Sequence, residues 1–500
     1  LEHDKPFKKA ARIVGECFVR DTLVLTEKGL IPIQDIGIGD RVYTQTGSRL
    51  VTALYEMPLK DLLRVTLEHG IYNDVTPSQK FKVLNEDLSF VWKEAQDLTD
   101  KDYIVVRTRY PDIKNPVELE FPYLGAKKFL INKNIAYLLG FFISDGWIVN
   151  DYTKANLPRI GWGTINKEVI EKVADILVQE FDYTPTIEAK KYKIQGKGRI
   201  IENTKYTIRI NRLDINEFFV KNFDLAAKNA FTKEIPSQIF ISPKEVIFSF
   251  VSGLIEGDGS VNPNKNTIHY GSVSKKLIKQ LAIILQHLGI FSSKYTQADL
   301  KRGGFIDGRH IKANYKFRYL EFRGSNALLL AKNIYLLKKD KQDKLLNLLT
   351  KRKFPSSYDI IPYGGEHVFQ ELSKYHLGSG WYKDTNGNKF RMGIKYPTGC
   401  KIRYSSDLLE KPLRKSQVIE WNIREKLKKL GSNLSNFVEK IIEDDIYFLR
   451  ASSIKEISAQ KTYDLQVEGE HEFIANGMLS HNCLGKYHPH GDIAVYDALI

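Results

Sequence analysis

Two hydrophobic rhythms alternate along this chain of 500 residues. From Cys17 onward, short apolar runs such as TLVLT, LIPI and RVYT are separated by Gly and Asp, a spacing that predicts a compact all-β domain. Near the other end, FIANGMLSHN (473–482) is a strand-like run of the same kind. Between them the period changes. AYLLGFFISDGWI (136–148) and VSGLIEGDGSV (251–261) read as buried helices, each with an early glycine and an acidic-glycine end. TINKEVIEKVADILVQEFDY and SVSKKLIKQLAIILQHLGI follow them with apolar positions at helical spacing. KYTIRINRLDINEFFVKNF (205–223) then parallels KFRYLEFRGSNALLLAKNI (316–334) in strand-then-helix order, at near-equal distances from Asp145 and Asp258. The middle of the chain therefore reads as two copies of one αββ-type unit, a pseudo-two-fold pair. Residues 351–445 read as a small basic α/β or helical extension or linker, and the stretch before Cys17 as basic and helix-like.

Composition narrows the function. At 42% hydrophobic and 11% aromatic residues the chain can fill packed cores, which argues against long disorder. A formal charge of +15 favours a polyanionic partner, nucleic acid before membrane. The basic strands at 186–201 and 292–319 carry Lys and Arg interleaved with Tyr and Phe, a pattern that fits a saddle on double-stranded DNA. IAYLLGFFIS (135–144) is too short to span a bilayer, and no leader pattern opens the sequence, so the expectation is a soluble cytoplasmic protein with no membrane partner. Three cysteines exclude a disulfide scaffold. Cys400 has no neighbour that gives it a role; Cys17 and Cys483 are another matter.

Deleting everything from Cys17 to Asn482 joins KPFKKAARIVGE to CLGKYHPHGDIAVYDALI. The joined text resembles the A subunit of DNA gyrase and topoisomerase IV around its KYHPHGD motif, where His488 and His490 would lie near bound DNA. The interior is then an insertion with a cysteine at its start, His481-Asn482 at its end and Cys483 just after it. A thiol before which a peptide can rearrange to a thioester, a second thiol to capture the acyl group, and an asparagine able to cyclise beside a proton donor are the groups needed to excise it. The insertion thus resembles an intein. The resemblance assigns Cys17, Asn482 and Cys483 to bond exchange, His481 to the final cleavage, and Asp464 and His471 to assisting the thiol and asparagine steps. In GIYNDVTPSQKFKVL (70–84), Thr76 matches the residue that polarises the first scissile bond, but Gln79 stands where the family has histidine. Glutamine donates hydrogen bonds yet is neither acid nor base near neutral pH. A splicing-impaired intein, or a permanent DNA-binding insertion, is the alternative reading.

The two apolar helices resemble the paired LAGLIDADG motifs of homing endonucleases. That resemblance implies side-by-side packing through Gly140, Ser144, Gly253 and Gly257, with Asp145 and Asp258 converging as metal-binding catalytic carboxylates. It implies a divalent metal, Mg²⁺ by expectation, and double-stranded DNA at the insertion-free host gene as partner. Splicing itself needs no cofactor. The fold class expected is multi-domain: an all-β Hint-type horseshoe (17–125 with 446–482) and an α/β endonuclease with a pseudo-two-fold repeat (126–350; repeats at about 130–225 and 245–340), followed by 351–445. Residues 1–16 and 483–500 are host flanks. The spliced host would be an ATP-dependent topoisomerase that dimerises and pairs with the gyrase B subunit.

Overall fold

The computed structural model describes residues 8–9, 15–121, 129–149, 159–196, 199–225, 228–306, 309–351, 358–378, 381–384, 386–391, 412–420 and 422–482. Cys400, Cys483, His488 and His490 lie outside them. The chain divides into two compact units, one of Leu1–Glu27, Ile31–Tyr110 and Pro355–Ile500, the other of Lys28–Leu30 and Pro111–Phe354.

In the first unit, two long strands set the frame. Ser48–Leu67 and Ile446–Val467 run antiparallel from Val51 opposite Val467 to Leu67 opposite Ala451, with register shifts along the way. Such shifts bend and twist a strand, which lets so long a ribbon curve instead of running flat. The short strand Phe18–Val19 enters beside it, Phe18 lying opposite both Tyr463 and Val75. The C-terminal hairpin, Glu472–Ala475 and Met478–His481, turns through Asn476 and Gly477, whose φ values of 47° and 86° suit a type I′ turn. Asn476 also ties this hairpin to the N-terminal strands: its Oδ1 accepts from the Leu23 amide at 3.0 Å and its Nδ2 donates to Asn73 Oδ1 at 2.6 Å. Phe18, Phe81 and Phe473 pack edge-on beneath, so strands near Cys17 and near Asn482 share one core. Lys8–Lys9 is strand, opposite Tyr55 and Glu56, where the basic pattern had suggested helix.

The second unit is built from helices on an eight-stranded antiparallel sheet. Its first half comprises α1 (Lys133–Asp145), β1 (Gly146–Val149), β2 (Arg159–Thr164), α2 (Lys167–Phe181), β3 (Ile187–Gly196), β4 (Arg199–Arg209) and α3 (Leu213–Phe223). The second half repeats it as α4 (Lys244–Asp258), β5 (Gly259–Asn262), β6 (Thr267–Ser272), α5 (Lys275–His287), β7 (Lys294–Ile306), β8 (Arg309–Arg323) and α6 (Gly324–Asn333). The strand order, β1-β2-β4-β3-β7-β8-β6-β5, reads the same from either edge once the halves are exchanged. The halves join where Ile194 of β3 faces Ile306 of β7. Side-chain oxygens of Asn132, Asn166 and Ser274 cap α1, α2 and α5 at their N-termini.

α1 and α4 pack against each other at glycines. A methyl added at Gly140 would fall onto the Phe250 carbonyl, and one at Gly253 onto that of Tyr137. Only a residue without a side chain lets two helix backbones come so close. The small residues picked out in the sequence are those that make the contact, with Ser144 set against Gly257.

The division of the chain departs from the sequence boundaries at two places. The second unit begins at Pro111, because Glu118–Leu119 pairs with Phe129–Leu130 and Phe121 joins Phe129, Phe181 and Phe218 in an aromatic cluster. The segment from Pro355 groups with the first unit, where Tyr358 meets His69, Tyr363 meets Tyr103 and Phe437 meets Phe90.

Candidate functional site

Strand pairing brings the two seams together in the first unit. Cys17 is fully buried against Tyr55 and Met57. Its backbone amide, in the Glu16–Cys17 peptide, donates to Thr76 Oγ1 at 2.9 Å. The Thr76 hydroxyl in turn donates to the Gly15 carbonyl, which also accepts from Ser78 Oγ at 2.6 Å. The Thr76 amide donates to the Cys17 carbonyl at 3.1 Å. Thr76 therefore grips the peptide on both sides of Glu16–Cys17.

Gln79 does something the sequence did not foresee. Fully buried, it turns from the first seam and donates from Nε2 to the His481 carbonyl at 2.8 Å and to the Lys80 carbonyl at 3.0 Å. Lys80 reaches the other way: its Nζ lies 2.7 Å from Glu16 Oε1. The second oxygen of Glu16 lies 2.7 Å from His481 Nδ1, and Trp92 holds that imidazole edge-on at 5.0 Å between ring centres. Asn482 is buried, its amide donating to the His471 carbonyl at 3.0 Å; His471 has a left-handed φ of 53°. Asp464 is buried opposite Tyr55, one residue beyond the partner of Phe18. Cys17, Thr76, Asp464, His471, His481 and Asn482 all converge on this region of the sheet.

In the second unit, α1 and α4 end at Asp145 and Asp258. A methyl on Gly257 would lie 3.1 Å from Asp145 Oδ2, so one carboxylate sits against the residue that precedes the other. Water reaches both, yet the protein crowded around them raises both pKa values. Asp258 rises to about 6, first through desolvation and then through the charge of Asp145. Asp145 rises through desolvation, opposed by Lys341, Lys233 and Lys205.

These lysines were not legible in the sequence. Lys233 Nζ donates to the Ser144 carbonyl at 3.1 Å, at the end of α1. Lys341 Nζ donates to the Ile255 and Glu256 carbonyls at 2.9 and 2.5 Å, at the end of α4. Each caps a helix C-terminus, where the dipole favours a cation, and burial lowers the pKa of each, opposed at Lys233 by Asp258 and Asp145 and at Lys341 by Glu256 first and then the two aspartates. A cavity of about 880 Å³ opens over Asp145 and Lys341. Its wall is one face of the sheet: Glu188, Lys190 and Tyr192 from β3, with Lys205 and Thr207 opposite on β4. Alternate strand residues share a face, so this register lines up the cationic side chains.

Paired hard-oxygen donors beneath a basic groove fit a divalent cation. Among the described residues no three His, Cys, Asp or Glu side chains cluster, so such an ion would take its remaining ligands from phosphate oxygens and water.

A family model for the intein splicing domain matches residues 26–482. An uncharacterized protein of Methanocaldococcus jannaschii is 32% identical over 175 residues, which cover 33% of this chain and 18% of that one. The gyrase A protein of Mycolicibacterium flavescens is 21% identical over 409 residues, covering 80% and 62%. The chain thus spans less than two thirds of the length of either relative. A solved structure of I-DmoI in complex with DNA and Mn aligns with 40% of this chain and 96% of that one, at 15% identity and a TM-score of 0.28. With the family model spanning nearly its whole length, the chain belongs to the intein splicing-domain family.

Proposed function

We propose that this chain splices itself out of a host protein and carries a DNA endonuclease within it. One observation above all supports the splicing reading: at 2.7 Å, Glu16 of the first seam touches His481 of the second across 465 positions of sequence. In the first step Cys17 Sγ bonds to the Glu16 carbonyl carbon, the Glu16–Cys17 C–N bond breaks, and the freed nitrogen gains a proton. The Thr76 hydroxyl accepts from that nitrogen and donates to the Gly15 carbonyl, so it holds the peptide in place while the thiol attacks. The Cys483 thiol then takes the acyl group and returns the Cys17 thiol. Asn482 Nδ2 closes on its own carbonyl carbon and gives up one proton, the Asn482–Cys483 C–N bond breaks, and His481 gives a proton to the departing amine and is restored by the one Nδ2 releases. The acyl group finally moves from sulfur to that amine, leaving a peptide bond between residues 16 and 483. Asp464 and His471 assist the thiol and asparagine steps in this reading. Gln79 serves the second seam as a donor to the His481 carbonyl, not as the acid of the first.

The test is intact mass after incubation at neutral pH with reductant. The 57.5 kDa chain should give way to an excised 17–482 and a ligated product of the two flanks. A chain that persists at 57.5 kDa, and that Gln79→His does not release, establishes the permanent insertion instead.

The endonuclease reading rests on the strand order that repeats from both edges, because two half-sites on duplex DNA call for such a pair. Asp145 and Asp258 would hold the divalent metal, Mg²⁺ by expectation, which when bound polarises a phosphodiester and activates water. Lys233 and Lys341 keep positive charge beside the carboxylates and so limit their repulsion. Lys190 and Lys205 would meet backbone phosphates. The substrate is double-stranded DNA in which the two flanking sequences are joined. Cleavage of that DNA by the full chain, dependent on divalent metal and lost in Asp145→Asn, is the expected outcome. The host is proposed to be the A protein of a gyrase or topoisomerase IV in the cytoplasm, with His488 and His490 in its DNA-binding motif. Its partner would be the gyrase B subunit.

A further inference from the structure

The last residue before the first scissile bond belongs to the host, not to the insertion, yet it is built into the site. Glu16 is buried, and both of its oxygens are engaged: Oε1 by Lys80 Nζ and Oε2 by His481 Nδ1, each at 2.7 Å. We infer that Glu16 is a positioning residue of splicing: while the first peptide bond is intact, its carboxylate holds the His481 ring and so delays cleavage at Asn482. This inference rests on the splicing reading above and adds an order to its steps.

The physical case has three parts. A carboxylate facing Nδ1 fixes both the tautomer and the orientation of an imidazole, as a histidine partner does wherever one ring nitrogen must be reserved. The ring is also wedged by Trp92, so its position follows its two contacts instead of drifting. Lys80 braces the carboxylate from the far side; without it, one oxygen of a buried acid would lose its charge partner. Glu16 is covalently part of the acyl group that moves. When that group passes to the Cys483 thiol, the carbon bearing the Glu16 side chain must move with it, and the hold on His481 ends. Cleavage at Asn482 before transfer would separate the flanks without joining them; the contact opposes that loss. It follows that the insertion is selective for the charge of the residue preceding it.

The experiment uses the full chain with Cys17→Ala, which keeps the first bond intact. Cleavage between Asn482 and Cys483 is followed by mass for Glu16, Glu16→Asp and Glu16→Gln, with Lys80→Met in parallel. Glu16→Gln and Lys80→Met should each raise the cleavage rate on the order of tenfold, the scale of one charge-assisted hydrogen bond. Glu16→Asp, which keeps the charge, should stay closest to the parent. In the chain that retains Cys17, Glu16→Gln should shift product from ligated flanks toward the C-terminal fragment alone. If the parent chain splices while cleavage in the Cys17→Ala series is indifferent to residues 16 and 80, the positioning role is overturned and splicing stands. If the parent neither splices nor cleaves at either seam, both readings fall.

Discussion

At the seams, Glu16 and His481 meet because strands pair in a fixed register; at the paired aspartates, Asp145 and Asp258 meet because one helix ending occurs twice. The first site exists in one copy and draws on both ends of the insertion. A slip of one residue in Ile446–Val467 against Ser48–Leu67 would turn its whole face away. The second is tolerant in register and strict in approach, since Gly140 and Gly253 set how near the carboxylates come. Its symmetry is broken at one useful place. Glu256 of α4 is buried and accepts from Tyr137 Oη at 3.1 Å and from the Lys338 amide at 3.3 Å, so a carboxylate on the helix anchors the segment that carries Lys341. The matching position on α1 is Ile143, one residue before Ser144 as Glu256 is one before Gly257, and the segment that carries Lys233 is held from α5 instead, by Ser274 Oγ on the Lys233 carbonyl and Gln280 Oε1 on the Ile235 amide at 2.8 Å.

If the two sites are chemically separate, each should fail alone. Cys17→Ala removes the proposed first nucleophile and should abolish splicing while DNA cleavage stays within about twofold. Asp145→Asn should lower DNA cleavage by about a thousandfold, the several kcal/mol that cation-held charge supplies to such a step, and leave splicing intact. Mass analysis and plasmid linearisation on the same preparations measure both. A variant that loses both activities breaks the separation.

The helix contact offers a sharper cut. Gly140→Ala places a methyl on the Phe250 carbonyl, a backbone atom with no rotamer to yield, so α1 and α4 must part. The expected cost is about 3 kcal/mol in the second unit, with DNA cleavage falling further than the stability alone requires because the aspartates separate. Thermal unfolding and splicing yield should show the first unit unaffected.

These differences also explain what could be read from the sequence. Asp145, Asp258 and their glycines were legible because a helix that must touch another at its backbone leaves small residues at fixed spacing, and because the pattern recurs. Thr76 was legible through its surroundings in TPSQK. Lys233 and Lys341 were not: Lys341 sits in KKDKQDK among neighbours of equal charge, and only the fold shows which of them reaches the end of α4. Glu16 was in view beside Cys17, but its contacts with Lys80 and His481 depend on sheet register, which has no local signature. For the same reason the crossing of Gln79 from one seam to the other was out of reach. The boundaries at Tyr110 and Pro355 turned on aromatic packing between distant segments.

Gln79 gives a finer test of how the seams are divided. Gln79→Leu keeps the bulk but removes the donor to the part-buried His481 carbonyl. Leaving that carbonyl short of a donor should slow cleavage at Asn482 by about tenfold. The first thioester should form at nearly the parental rate, read by trapping with an added thiol. A variant that stalls at the thioester instead would place Gln79 with the first seam after all.

The smallest expected effect concerns stability at the aspartates and has a definite sign. The Asp258 pKa is raised from 3.8 to about 6 in the folded chain, so folding favours its neutral form. That contribution is fully present below pH 3.8 and is lost as pH rises through about 6, where the ionised carboxylate faces Asp145 in a desolvated site. Asp258→Asn stays neutral throughout. In a Cys17→Ala background, which prevents splicing during the measurement, Asp258→Asn should stabilise the second unit at pH 7 by on the order of 1 kcal/mol, a value reduced because water reaches the carboxylate. The gain should vanish near pH 4. Added Mg²⁺ should raise the unfolding temperature of the parent at pH 7 and do little for the variant. DNA cleavage by the parent should fall at low pH, where protonation takes away the carboxylate proposed to hold the cation, and rising Mg²⁺ should move that fall below the metal-free value of about 6. In the proposed reading the ionised form of this site costs stability and is needed for activity, whereas at the seams the buried charge of Glu16 is matched within the fold by the half-buried Lys80. An Asp258→Asn chain no more stable than its parent at pH 7 would erase that contrast.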